Sequence, residues 1–388
     1  MLVWIEYALF AYFSYTALYS LIFSVSGLFY KLPKFLNHGT SGKLNRVAVF
    51  IPGYKEDGVI FSVAELALKQ TYPKEFYDVI IIADSFQETT LQKLRTLNVV
   101  VHEVHFEEST KAKSLQHAMN SFSGYPIAVI LDADNVMKED FLTKINLCFN
   151  NGWRVIQGKR TAKNRNSSFA VLDGLSETIA NHINRQGPSA LGLSVSLIGS
   201  AMAFDYILLR DTMKDIHSVV EDKELQMKLM SNGEKIHYLN NAIVLDEKVS
   251  NPEVFKNQRK RWVAGQYNHF KDAFIASFRE LFRGNFSLFN ITVLFNIMLP
   301  RVMSLGLLTI LTLVMIIFHQ YLFIPYWYWC VIWGMYVLSF ILAVPLSYYD
   351  RSFFKAILQA PKAFFIILSL HFQLKGAQKK FIHTPHKH

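Results

Sequence analysis

The chain has 388 residues, long enough for two or three domains; 51% of them are hydrophobic, 14% aromatic and only 18% charged. A net charge of +10 would point to nucleic acid in a soluble chain, but here Lys and Arg gather beside apolar segments, with no nucleic-acid-binding signature. Nucleic acid is therefore excluded as a partner. The two cysteines, Cys148 and Cys330, lie in segments of opposite character and imply no disulfide framework.

Residues 3–30 carry no charge except Glu6 and exceed the roughly 20 residues that cross a bilayer. The stretch is too long, and lacks the basic start, of a cleaved signal peptide. It predicts an N-terminal transmembrane helix within 1–30. Lys31, Lys34, Lys43 and Arg46 follow, which predicts a cytoplasmic downstream side.

Residues 46–250 read as an α/β domain. A strand from Val47 to Ile51 is ended by Pro52-Gly53, and a helical stretch near 58–70 follows. A second strand, from Asp78 to Ala83, stops at Asp84. A helix at 88–97, a strand at 98–104 and a helix at 110–121 lead to the apolar run Ala128 to Leu131, which closes on Asp132-Ala133-Asp134. Alternating strands and helices predict a mostly parallel sheet flanked by helices, with ligands beyond the strands' carboxyl ends. No G-x-G-x-x-G follows the first strand and no Walker A motif occurs, which removes dinucleotide and P-loop readings.

Beyond the domain, 252–299 predicts amphipathic, basic interfacial helices, its last part (286–299) apolar but broken by Asn290 and Asn296. Within 300–348 two spans are expected, at 302–319 and 325–347. Residues 353–374 have basic flanks at both ends, which favours an interfacial helix over a fourth span. Residues 375–388 form a basic tail.

Several residues carry chemistry. Carboxylates at i and i+2 after a buried strand, as in Asp132 and Asp134, can hold a hard divalent cation that bridges to phosphate. An acidic turn or a helix cap would look the same. Tyr54 and Glu56, after Pro52, offer a ring and a carboxylate to a nucleobase, and Asp84 can accept from a base N–H. Lys111 opens a helix whose first N–H groups favour anions. Glu221-Asp222 begins another helix, the setting a general base needs. On a helix, Gln258, Arg261 and Trp262 share one face, joining donors for a diphosphate to an indole platform for a sugar.

Taken in this order, these motifs resemble a membrane-integrated family 2 glycosyltransferase of the inverting GT-A type, in particular the processive β-glycan synthases of cellulose, chitin and hyaluronan. The likeness covers 46–265 and includes Gly199-Ser200 with Phe204. It implies a UDP-sugar donor and Mg²⁺ or Mn²⁺ at Asp134, with Asp132 on the nucleotide and Pro52, Tyr54, Glu56 and Asp84 around base and ribose. Asp222, with Glu221 beside it, would be the base. Lys111, Gln258 and Arg261 would meet the diphosphate, and Trp262, Gly199 and Ser200 the acceptor. The tail resembles a gating loop closing on UDP through Thr384 and Lys387. Departures are Ala112, Lys113 and Gln116 after Lys111, Ala201 in place of a glycine, and Lys387 one place late.

The resemblance further implies a multi-pass protein of a bacterial inner membrane, with its catalytic domain cytoplasmic. Its partners would be membrane lipids and a glycan or lipid-linked acceptor. Three spans are few for one chain to enclose a polysaccharide channel, and several subunits or a separate partner could supply a missing pore. The alternatives are a non-processive transferase acting on a lipid-linked acceptor and an inactive membrane scaffold.

Overall fold

The computed structural model describes residues 2–37, 42–218, 220–248 and 274–371. Strand β1 (Val47–Tyr54) lies inside the sheet, and its alternate side chains enter two different cores. Val47, Val49 and Ile51 pack with helices Ile60–Ala67 (α2) and Phe141–Asn150 (α5). Ala48 and Phe50 pack on the other face with Lys111–Ser121 (α4), Tyr206–Met213 (α8) and Glu221–Ser231 (α9). Burial on both faces is why these strands are continuous apolar runs.

The sheet has eight strands in the order β3-β2-β1-β4-β7-β6-β8-β5. From β3 (Val100–Val104) through β2 (Tyr77–Asp84) and β1 to β4 (Ile127–Ile130), the neighbours are parallel. β7 (Met202–Asp205) is antiparallel to β4 and to β6 (Val155–Ala162), while β8 (Ile236–Asp246) is parallel to β6. The expected mostly parallel sheet is therefore a mixed one. β7 pairs as Met202↔Ile130 through Asp205↔Ile127, a reversal that alternation of strands and helices does not encode.

Strand order reverses between β1 and β4, because the chain builds outward to β3 and then returns to the other side of β1. A crevice opens at such a switch point. From β4 the chain makes a tight turn, Asn135 N–H donating to Asp132 O at 3.1 Å, and at once enters β5 (Val136–Met137) at the far edge. So short a turn does not bridge four flat strand spacings, about 19 Å, so this half of the sheet curls.

Helix α1 (Leu2–Leu28) and helix α12 (Tyr326–Ala343) are long and apolar enough to cross a membrane. Phe286–Ile297 (α10) and Arg301–Ile317 (α11) meet at a 50° bend, and Arg351–Ile357 (α13) meets the helix starting at Ala360 (α14) at 42°. Pro300 sits at the first bend, where it cannot continue a helical hydrogen-bond ladder. Counting each bent pair as one span gives four candidates. Glu6 accepts the backbone N–H groups of Phe323 and Ile324 at 3.0 and 2.9 Å, which explains the lone acid in α1.

Candidate active site

The cleft beyond the ends of β1 and β4 has a volume of about 540 Å³. Pro52, Tyr54, Glu56, Asp84, Lys111, Asp132, Asp134, Gly199, Glu221 and Asp222, all expected from the sequence, line it together. Gln258, Arg261, Trp262, Thr384 and Lys387 lie outside the described residues. Phe204 is a core residue of β7.

The parallel register explains half of this convergence, because Tyr54 is opposite Asp84 and both strands end at the same level. Asp84 is 1% exposed; its Oδ1 accepts from Ser85 Oγ at 2.9 Å, while its Oδ2 is buried with no partner among the described residues. An orphaned carboxylate oxygen is costly and marks a place for a ligand donor. Lys55, Ser85 and Ala201 are the non-glycine residues with positive φ (54°, 58° and 55°) among the described residues. Each adjoins a cleft-lining turn, and such strain, on the order of 1–3 kcal/mol apiece, gathers at functional sites.

Lys111 is the first residue of α4, capped by Thr110 accepting from Lys113 N–H at 3.2 Å. Its ammonium donates to Asp132 and to Gly199 O (2.6 Å), and lies 3.6 Å from Glu221. It ties three loops together at once. Burial works against its charge, but Asp132 and Glu221 more than offset this, so its pKa stands above the ordinary lysine value. Gly199 adopts φ 79°, and a Cβ there would meet Lys111 Nζ at 3.8 Å and Asp222 Oδ2 at 3.9 Å.

Glu221 and Asp222 occupy the first turn of α9, where the helix dipole favours negative charge. Burial nevertheless pushes the Glu221 pKa up to about 7; Lys111 opposes the rise and the Asp222 carboxylate adds to it. Expected to meet an acceptor, Ser200 is fully buried instead. Its hydroxyl accepts from Asp132 N–H (3.0 Å) and donates to Asn135 Oδ1 (2.7 Å). Asn135 Nδ2 in turn donates to Asp134 Oδ1 (2.7 Å) and Asp246 Oδ1 (2.9 Å). The structure thus gives Ser200 the work of ordering the Asp132–Asn135 turn.

Sequence reading missed a second charged group in this cleft. Arg160, near the end of β6, donates to Glu177 at 2.7 Å and lies 3.8 Å from Asp132. Lys248 pairs with both Glu177 and Asp246. Glu177 belongs to helix Ser168–Asn181 (α6), whose residues 173, 176, 177, 180 and, just beyond it, 184 line the cleft as one helical stripe. Burial opposes the Glu177 charge, but Arg160 and Lys248 hold its pKa well below the ordinary carboxylate value. A polar stripe at helical spacing was the available signal, but it looks the same as a solvated face.

Among the described residues, ten acidic side chains face six basic ones in the cleft. Such an excess repels a bare diphosphate and favours a divalent cation. Among the described residues no group of three or more His, Cys, Asp or Glu could hold a metal alone. One or two carboxylates completed by substrate phosphates is, however, the usual arrangement for Mg²⁺, so Asp132 and Asp134 fit the group.

A family model described as glycosyltransferase like family 2 matches residues 45–265, more than half of the chain. The probable glycosyltransferase YdaM of Bacillus subtilis (strain 168) is 23% identical over 256 residues. The match spans 62% of this chain and 60% of that protein's length. Among solved structures, the chain is similar to the mannosyltransferase PcManGT from Pyrobaculum calidifontis, with a TM-score of 0.58 at 13% identity. That likeness, one of fold, covers 96% of this chain and 99% of the other.

Proposed function

The chain belongs to glycosyltransferase like family 2, and on that premise we propose that it transfers a sugar from a UDP-sugar, with inversion, to an acceptor presented at a membrane. What carries the reading is the convergence of Asp84, Lys111, Asp132, Asp134, Glu221 and Asp222 in one cleft at the sheet's switch point. The mannosyltransferase of similar fold was solved with GDP-mannose and Mn²⁺, which supports a nucleotide-sugar donor and a divalent metal.

In this reading Tyr54 and the open Asp84 oxygen receive the base, and Pro52 and Glu56 border it. Lys111 fixes Asp132 and adds positive charge beside the diphosphate. Asp134, with Asp132, holds Mg²⁺ or Mn²⁺, which when bound neutralises charge building on the leaving diphosphate. Asp222 takes the proton of an acceptor hydroxyl. That oxygen bonds the anomeric carbon from the face opposite the diphosphate, and the breaking C–O bond leaves its electron pair on the β-phosphate. A single in-line displacement needs one base and inverts the centre. Gln258 and Arg261 would steady the leaving group, Thr384 and Lys387 would close over UDP, and Trp262 and Gly199 would border the acceptor. The placement is at a bacterial inner membrane, with the domain cytoplasmic.

Growth of a β-linked glycan rests on the Gln258–Trp262 motif. A second reading, one addition to a lipid-linked acceptor, is favoured by the course of the cleft. It runs on to Ile291, Phe295 and Arg301, beside the apolar helices. The test is UDP or GDP release from a panel of nucleotide sugars with Mg²⁺ or Mn²⁺, with product sizing. One donor turning over with a ladder of products supports a synthase; a single product on a lipid acceptor supports the second reading. No turnover with any donor and acceptor would leave the scaffold.

A further inference from the structure

The membrane-proximal end of the cleft is built unlike the rest. Two π-turns contribute to it, His182–Gln186 and Asn290–Leu294. Such turns are frequent at functional sites, because one extra residue in the turn re-aims its neighbours. The first supplies Asn184 and Arg185 to the cleft wall, and the second supplies Ile291 and Thr292. Arg301, the first residue of α11, also lines the cleft and donates to Asn184 Oδ1 at 2.5 Å.

Glu177, about two helical turns before Arg185, is already paired with Arg160 and Lys248. Arg185 is 4% exposed and donates to Asn181 Oδ1 (2.9 Å) and Ser196 O (3.3 Å). Among the described residues, no carboxylate lies within ion-pair distance of it. Burial pushes its pKa down to about 10, with Arg160 and Arg301 adding to the fall and Tyr238 and Glu177 opposing it, and no described carboxylate stands close enough to be its counter-charge. A buried guanidinium without one is expensive, and its planar fork matches a phosphate.

The depth of the site is set by α1. His182 bonds Ser24 O (2.8 Å), Gln186 donates to Gly27 O (2.8 Å) and Ser26 donates to Gly187 O (3.2 Å). Gly187 packs so closely that a Cβ would stand 2.2 Å from Phe23 O. Arg185 therefore sits beside the end of α1, and Arg301 at the proline bend where α11 begins. With α1 and α11 as the membrane-crossing segments of the proposed transferase, that is the level of lipid headgroups.

We propose that Arg185 and Arg301 form a subsite for the phosphate of a membrane lipid that carries the acceptor, its chain leaving past Ile291 and Phe295. The inference rests on the transferase reading for its purpose, but phosphate binding can be measured without transfer. The full chain in phosphatidylcholine nanodiscs is titrated calorimetrically with farnesyl phosphate, farnesol and inorganic phosphate, and separately with UDP and Mn²⁺.

Farnesyl phosphate should bind saturably, and farnesol and inorganic phosphate at least about ten-fold more weakly. Arg185→Gln and Arg301→Gln should each weaken farnesyl phosphate by about ten-fold with UDP binding retained, and Arg185→Lys by less. If Arg185→Gln fails to fold, the Arg301→Gln and Arg185→Lys results decide. Farnesol binding as well as its phosphate, or indifference to the substitutions, overturns the subsite. Inorganic phosphate binding as tightly makes it a free-anion site and overturns the lipid. Wild type that binds neither UDP nor, in the same titration, GDP defeats the transferase reading alone, because the phosphate titration stands apart from it.

Discussion

The two ends of the cleft are made from different materials. At the end proposed for the donor, Asp84 closes β2 and Asp132 and Asp134 follow β4, strands that are buried and whose register is set by ladder pairing. At the membrane end, Arg185 and Arg301 project from a π-turn and from a helix beginning at a proline bend. A sheet end holds metal and diphosphate groups to the tolerance that in-line displacement demands. Irregular helices instead give an opening whose shape follows the apolar helices packed on it. The comparison teaches that donor and acceptor recognition should be separable by mutation.

The largest effect should come from Asp222→Asn. Transfer should fall by about 10²–10⁴-fold, the usual range for loss of a general base, with UDP and metal binding intact. Parallel loss of nucleotide binding would remove Asp222 from that role. Asp134→Asn should abolish Mn²⁺-dependent UDP binding while leaving farnesyl phosphate binding unchanged, as calorimetry on the same preparation would show. If both are lost, the two ends are one unit.

Asn135→Ala tests the support beneath the donor end. Losing the amide that aims Asp134 should weaken Mn²⁺ by about 10–100-fold, as for other partners of metal ligands. Ser200→Ala should act through the same network, so the double mutant should cost less than the product of the two single effects. Additive losses would place Ser200 outside it.

The pH dependence follows from Glu221. Its folded pKa, about 7, lies above the ordinary carboxylate value, so in the folded protein it stays protonated below about pH 7. Ionisation above that pH puts a second negative charge beside Asp222, and two carboxylates draw a hydroxyl proton more strongly than one. Transfer should rise with an inflection near 7, and Glu221→Gln should remove the inflection. The same sign makes Glu221 destabilising once pH exceeds its unfolded pKa, because the unfolded chain then binds fewer protons. Smallest is Asp84→Asn, which should raise the KM for the donor by about ten-fold, the worth of one charge-assisted hydrogen bond.

The contrast between the ends also explains what was legible in the chain. Asp84 and Asp132 stand where apolar runs stop, and strand ends and acid spacings are local signals that one sequence displays. The reversed β7 and the curl that carries β5 to the far edge depend on pairing between distant segments, which alternation does not report. Arg160, Glu177 and Lys248 come from a strand, a helix and the stretch after β8, and only their meeting makes them a group. Arg185 was missed for a related reason: the π-turn that displays it departs from the 3.6-residue period on which helical patterns are read.

Whether Asp132 and Asp134 hold a divalent cation against a nucleotide diphosphate is tested most directly by Mn²⁺ electron paramagnetic resonance. Titrating UDP into the full-length protein with Mn²⁺ should convert the free-ion signal to a bound one, in wild type and in Asp222→Asn but not in Asp134→Asn. A signal indifferent to UDP and GDP, or the same conversion in Asp134→Asn, would contradict that cation site.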